Sequence, residues 1–272
     1  MKRLKFIVFL SLAFSACEEQ PIPIPDPVFA TDGRVMLIED FTGVNCVPCF
    51  GATAFINGVL AENENSVIAL GIHGGLQSEP IDGSKYDFRY QDAMDLESNF
   101  NVVGKPAAAF NRVDVADGRK IQLNSSTWQR FIDQELLKRQ VADLFITTSY
   151  SPETRQVEIE VAAVPLEDMA GTVNVHVIMA ESHLLDSQNS PGGVVLDFEH
   201  NHVLKNSLTS LQGNILGIDL IRGEIYSERY TYTIPSTENG QWLPENMEVI
   251  AFITAAERSN SVQQAALAPV IE

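Results

Sequence analysis

Cys46-Val47-Pro48-Cys49 is the segment whose residue types and spacing bear most directly on chemistry. Two thiols two residues apart can serve as attacker and resolver in one exchange. One thiolate forms a mixed disulfide, and the other is near enough to displace it. The pair lies where a strand-like apolar run gives way to a helical pattern. A thiol in the first turn of a helix faces unpaired backbone N–H groups and the positive end of the helix dipole, and both favour the thiolate. Pro48 fits that first turn, where a missing N–H costs little. Two other readings compete. A structural disulfide suits an oxidising compartment, although so short a loop gains little chain-entropy stabilisation. Half a zinc site would need two further soft ligands, yet the third cysteine is Cys17 and only His73 falls in the same half of the chain.

The elements that must position this pair read as follows. Residues 34–41 form a near-continuous apolar run, as expected of a strand buried on both faces. Thr42 to Asn45 make a turn, and Phe50 to Ala61 carry a helical pattern. Ser66 to Ile72 reads as a second strand, and residues 73–84 as a Gly-, Pro- and Asp-rich loop. Tyr86 to Asn99 reads as a helix, Pro106 to Phe110 as a strand, and Asn111 to Gly118 as a hairpin. Trp128, Phe131, Ile132, Glu135 and Leu136 stand at helical spacing within residues 128–139. This alternation predicts an α/β unit over residues 34–140.

The pattern changes near residue 141. Residues 144–150, 157–164, 173–179, 226–234 and 248–255 alternate or run apolar over strand lengths. They predict an antiparallel, immunoglobulin-like β-sandwich over residues 141–272, while residues 184–222 show no clear pattern. There is no phosphate-binding glycine loop, dinucleotide fingerprint or nucleophile elbow, so no cofactor is implied. His200 and His202, two apart on an expected strand, would share a side near Asp197 and Glu199. A polar loop or strand edge is the better account of them than a metal site. His176 and His183 read as surface or core residues, and Glu39 as a solvated or capping carboxylate.

In residues 34–140 the chain resembles the thioredoxin-like fold. Asp40-Phe41, four residues, then Cys46-Val47-Pro48-Cys49 repeats that family's spacing, and Val102-Val103-Gly104-Lys105-Pro106-Ala107 is similar to its cis-proline loop. The resemblance implies that Cys46 is the attacking thiolate and Cys49 the resolving thiol. It implies that Asp40 is a buried proton acceptor for Cys49. It also implies that Pro106 is cis, shaping with Pro48 and the backbone near Lys105 a groove for a substrate peptide. The chain departs from the family at Asn45, where an aromatic is usual, at the Val-Pro spacer, and at Ala107 after the proline. These departures bear on specificity and reduction potential.

The N-terminus supplies an address. Lys2, Arg3 and Lys5 precede an apolar run to Phe14 that ends in Ser15-Ala16-Cys17, the layout of a secretory signal over residues 1–16. Small residues before a cysteine resemble a bacterial lipobox, which implies lipidation of Cys17 and a proline-rich tether over residues 17–33. Removing residues 1–16 takes away three basic groups and no acid, so the charge falls from -18 to -21. Such a chain is a poor partner for nucleic acid or anionic lipid. The chain after residue 16 has no apolar run long enough for a transmembrane helix, so the membrane tie would come from lipid on Cys17. The whole layout, with Glu199-His200-Asn201-His202-Val203-Leu204 in its second half, resembles the 28-kDa outer-membrane protein family of Bacteroidetes. That implies an outer-membrane lipoprotein on the periplasmic or surface face. Two functions are expected: exchange with the thiols or disulfides of envelope proteins, or a non-catalytic protein- or ligand-binding module. No feature specifies an oligomeric state. Incorporation of labelled fatty acid in cells, lost in Cys17→Ala, is the expected outcome for the anchor.

Overall fold

The computed structural model describes residues 33–271 apart from 117, 238 and 239. The signal segment, Cys17 and most of the tether lie outside the described residues. Strand β1 (Met36–Phe41) is buried at every position. It pairs in parallel with β2 (Val67–Ile72) and antiparallel with β3 (Ala107–Phe110). Side chains alternate across a strand, so β1 presents Met36 and Ile38 to one face and Leu37 and Phe41 to the other. Helix α1 (Cys49–Glu62) covers the first face with Ala52, Ile56 and Val59, joined there by Trp128, Phe131 and Ile132 of α3 (Trp128–Leu136). Each fully buried side chain of this size contributes about 1.5–3 kcal/mol. Helix α2 (Gln91–Asn99) covers the opposite face with Ala93 and Leu96.

Helix α2 begins at Gln91, later than the periodicity predicts. Tyr86 and Phe88 are buried while Lys85 and Asp87 are exposed, the period of two that belongs to extended chain. The Asp186 carboxylate accepts from Lys85 N–H at 2.7 Å and Tyr86 N–H at 3.1 Å, which commits those amides outside a helix. The expected hairpin at 111–118 is a turn closed by a single bridge between Ala116 and Arg119.

Past residue 141 come β4 (Ala142–Ser151), β5 (Gln156–Pro165), β6 (Met169–Glu181), β7 (Leu184–Ser190), β8 (Gly193–His200), β9 (Val203–Ser207), β10 (Asn214–Leu220), β11 (Tyr226–Thr233), β12 (Met247–Ala255) and β13 (Ser261–Pro269). Four of them, β7 to β10, fall in the stretch where the sequence shows no clear pattern. A self-contained sandwich is not what forms. One mixed sheet runs β13-β12-β6-β9-β2-β1-β3, with β10 also beside β6, so the sheet crosses position 141. The seam is parallel: Gly71 of β2 is in register with Val203 of β9, and Gly71 N–H donates to the His202 carbonyl at 2.8 Å. The physical reason is the free edge of β2, an apolar parallel strand that cannot be left to water. A three-stranded sheet, β11-β5-β4, lies over β6 and β12 around the largest apolar cluster, which includes Val157, Ile159, Val175, Val177, Val249 and Ala251. The fold is mixed α/β with a predominance of antiparallel strands.

Glu39 is not solvated. It is 1% exposed and makes a bidentate pair with Arg112 at 2.6 and 2.9 Å. The Arg112 guanidinium lies between the Phe100 and Phe252 rings, 5.2 and 4.7 Å from their centroids. Removing one partner strands a buried charge, so Glu39→Gln is expected to lower stability by about 3–5 kcal/mol. Urea unfolding of the variant measures this, and a loss below about 1 kcal/mol would contradict the assignment.

Candidate functional site

Cys46 and Cys49 form a disulfide with Cα atoms 5.3 Å apart. Cys46 closes a turn in which its N–H donates to the Gly43 carbonyl at 3.0 Å, and Cys49 is the first residue of α1. Pro48 stands at the N-cap with no side-chain cap, and no acid lies in the first turn. The positive end of α1 is therefore not offset locally. Gly43 is required by close approach: a Cβ there would overlap the Gln77 carbonyl oxygen, which accepts Asn45 N–H at 2.9 Å.

Asn45, Val47 and Pro48 are exposed, but both cysteines are fully buried. The cover is the β7–β8 hairpin. Asn189 N–H donates to the Val44 carbonyl at 2.8 Å, and its side-chain amide to Asn45 Oδ1 at 2.8 Å. Gln188 is 2% exposed, and its Nε2 reaches the carbonyls of Gly43 at 3.3 Å and Cys46 at 3.2 Å. The Phe198 ring packs on Phe50, next to Cys49, at 5.6 Å. The sequence hinted at this cover only through alternation in Gly193–His200, a signal weakened by exposed Val194 and Leu196.

Asp40 is the penultimate residue of β1, on the face that α1 covers, in the Met36 and Ile38 series. Its Oδ1 is buried and has no hydrogen-bond partner. Burial pushes its carboxyl up to about 7, against the opposing pull of the Lys105 ammonium. The Lys105–Pro106 peptide is cis. The Lys105 side chain points inward rather than into a surface groove. It pairs with Glu97 at 2.7 Å and donates to Ser78 Oγ at 3.0 Å and to the Gly74 carbonyl. Burial lowers its pKa, and Glu97 and Asp40 counter that.

Near this site lies a group of buried rings. His73 sits 5.1 Å from Phe88 and 5.5 Å from His200, and His200 4.9 Å from Phe198. Burial holds His73 well below its usual range and His200 down to about 4, so both are neutral at pH 7. His200 and His202 do not share a side. His200 is interior at the end of β8. His202 lies in the following turn with φ 52° and meets Glu248 at 2.7 Å. Asp197 and Glu199 are exposed, and Glu199 pairs with His183 at 2.6 Å. His176 is a core residue stacked 4.4 Å from Phe252. No group of three or more metal-ligating residues occurs among the described residues.

Asp40 supplies a pH dependence. Its carboxyl binds a proton more tightly in the folded than in the unfolded state, whose pKa is the ordinary 3.8. Its contribution to stability therefore falls as pH rises from about 4 to about 7 and is level above that. Asp40→Asn is expected to stabilise the protein at pH 8 by a few kcal/mol and to change little at pH 4, because each tenfold gain in proton affinity on folding corresponds to about 1.4 kcal/mol. Denaturant midpoints at the two pH values test this. An equal effect at both pH values would show that folding does not raise the Asp40 pKa.

No helix among the described residues is long and apolar enough to cross a membrane. No curated protein matches the sequence. Among solved structures, HBP35 of Porphyromonas gingivalis is similar with TM-score 0.67 at 12% identity, over 88% of this chain and 76% of that one. A protein of Agrobacterium tumefaciens known from its X-ray crystal structure is similar with TM-score 0.54 at 12% identity, over 88% of this chain and 96% of its own. At such identity these likenesses speak for the fold alone. The sequence match to a family begins beyond the Cys pair, at the third residue of α2, and takes in every later strand. On that match, over residues 93–270, the chain belongs to the family described as Outer membrane protein Omp28.

Proposed function

We propose that this outer-membrane family member carries out thiol–disulfide exchange with proteins of the envelope through Cys46 and Cys49. The observation that carries the reading is the disulfide at the start of α1, in the loop that follows β1, whose Asp40 carboxyl is buried with a pKa of about 7 that suits proton transfer near neutrality. The order β1-α1-β2-α2-β3-α3 around that pair supports a thioredoxin-like unit. An incoming thiolate would attack Cys46 Sγ, break the Cys46–Cys49 bond and release Cys49 as a thiolate, which takes a proton from Asp40. In the reverse direction Asp40 accepts that proton, and Cys49 resolves a mixed disulfide on Cys46. The positive end of α1 would stabilise the thiolate at either stage. Pro48 and the backbone at Lys105-Pro106 would border the place of a client peptide. Lipid on Cys17 would hold the chain at the membrane.

Two observations favour the alternative, a non-catalytic binding module with a resting disulfide. Both sulfurs are covered, and the family match excludes them. Replacing Cys49 by Ser in cells separates the two. Exchange predicts mixed disulfides on Cys46, visible as higher-mass species on non-reducing gels and lost with dithiothreitol. If no such species form, and the purified protein neither reduces nor oxidises a model disulfide, the module reading stands.

A further inference from the structure

The β7–β8 hairpin does more than bury apolar surface. Its outward side chains Leu185, Val194 and Leu196 are exposed, whereas the end of β7 is spent on the Cys loop. The contact there is made by extended backbone: Asn189 N–H bonds to the Val44 carbonyl as an added strand would. Gln188 then supplies two donor contacts, to the carbonyls of Gly43 and Cys46. Asp186, fully buried, ties the same strand to the chain at Lys85 and Tyr86. With the segment in place Cys46 is inaccessible, so no thiol can approach its sulfur.

Resting on the exchange reading, we infer that Gln188-Asn189-Ser190 is an internal stand-in for the client. It occupies the place of an extended polypeptide beside Cys46, and exchange requires a client segment to displace it. The partner class is thus an unfolded or extended protein segment that offers backbone N–H and side-chain amide donors to the carbonyls of Gly43, Val44 and Cys46. At the Cys loop the hairpin tip is held by the Gln188 and Asn189 hydrogen bonds and the Phe198–Phe50 contact, while Asp186 and the His200 contacts with His73 and Phe88 anchor its base, so the tip can open locally without global unfolding.

The test is the rate at which dithiothreitol reduces the native disulfide, followed by alkylation of Cys46 and mass spectrometry. In that reaction a dithiothreitol thiolate breaks the Cys46–Cys49 bond, and its second thiol then frees Cys46. The products are two cysteine thiols and cyclic oxidised dithiothreitol. Gln188→Ala is expected to raise the rate roughly tenfold, as loss of contacts worth a little over 1 kcal/mol would. Asn45→Ala, an exposed change outside the hairpin, is expected to raise it severalfold and guards against misfolding of the first variant. In the intact protein, hydrogen exchange at residues 184–200 should also increase when thiol-free, carboxymethylated unfolded ribonuclease A is added. Equal reduction rates in all three proteins, or exchange unchanged by the polypeptide, overturns the stand-in and leaves the exchange reading intact. Faster reduction of the variants with no Cys46 adducts in Cys49→Ser cells keeps the cover and removes the exchange reading.

Discussion

Strand β1 has no face to give to water, and the rest of the molecule is arranged around that constraint. All six of its residues are buried. Its neighbours β2 and β3 therefore need helices on both sides, which α1, α3 and α2 supply. Its parallel partner β2 in turn needs a neighbour at its free edge. That neighbour is β9, which brings β6, β12 and β13 into the same sheet. Val262 and Ala265 of β13 thus share an apolar cluster with Leu37 and Phe41, although more than two hundred residues separate them.

The same constraint sets the electrostatics. Glu39 and Asp40 are adjacent on a strand buried on both faces, so alternation sends them to opposite sides. Glu39 meets Arg112, clamped between two aromatic rings. Asp40 meets the α1 side, where one oxygen finds no hydrogen bond, and it becomes a carboxyl of near-neutral pKa. One side serves stability, and the other holds a titratable carboxyl on the strand that leads into the cysteine loop. The neutral histidines 73 and 200 extend this water-poor region toward the hairpin.

The two halves of the chain are accordingly not independent units. The first half contributes the cysteines, Asp40 and Pro106. The second half contributes the hairpin that packs on the cysteine loop. The Omp28 match over residues 93–270 takes in the covering hairpin and Pro106 but not Asp40 or the cysteines.

Much of the α/β half was legible because its signals are local. The apolar run at 34–41, the helical spacing at 128–136 and the Cys-x-x-Cys at a strand–helix junction each depend on residues close in sequence. Glu39 could have been read as buried from the same run, had the burial of both faces been applied to its charged members. The start of α2 was not legible, because Asp186, about a hundred residues away, takes the amides of Lys85 and Tyr86. Nor was the hairpin, whose short, half-exposed strands carry little hydrophobic periodicity. The sequence by itself determined which atoms could do chemistry and which local elements present them. Tertiary structure alone decided that the β-rich half joins the first sheet and that Gln188 and Asn189 cover the disulfide. Those choices rest on long-range backbone pairing and on burial shared between distant segments, and neither leaves a periodic trace in the chain.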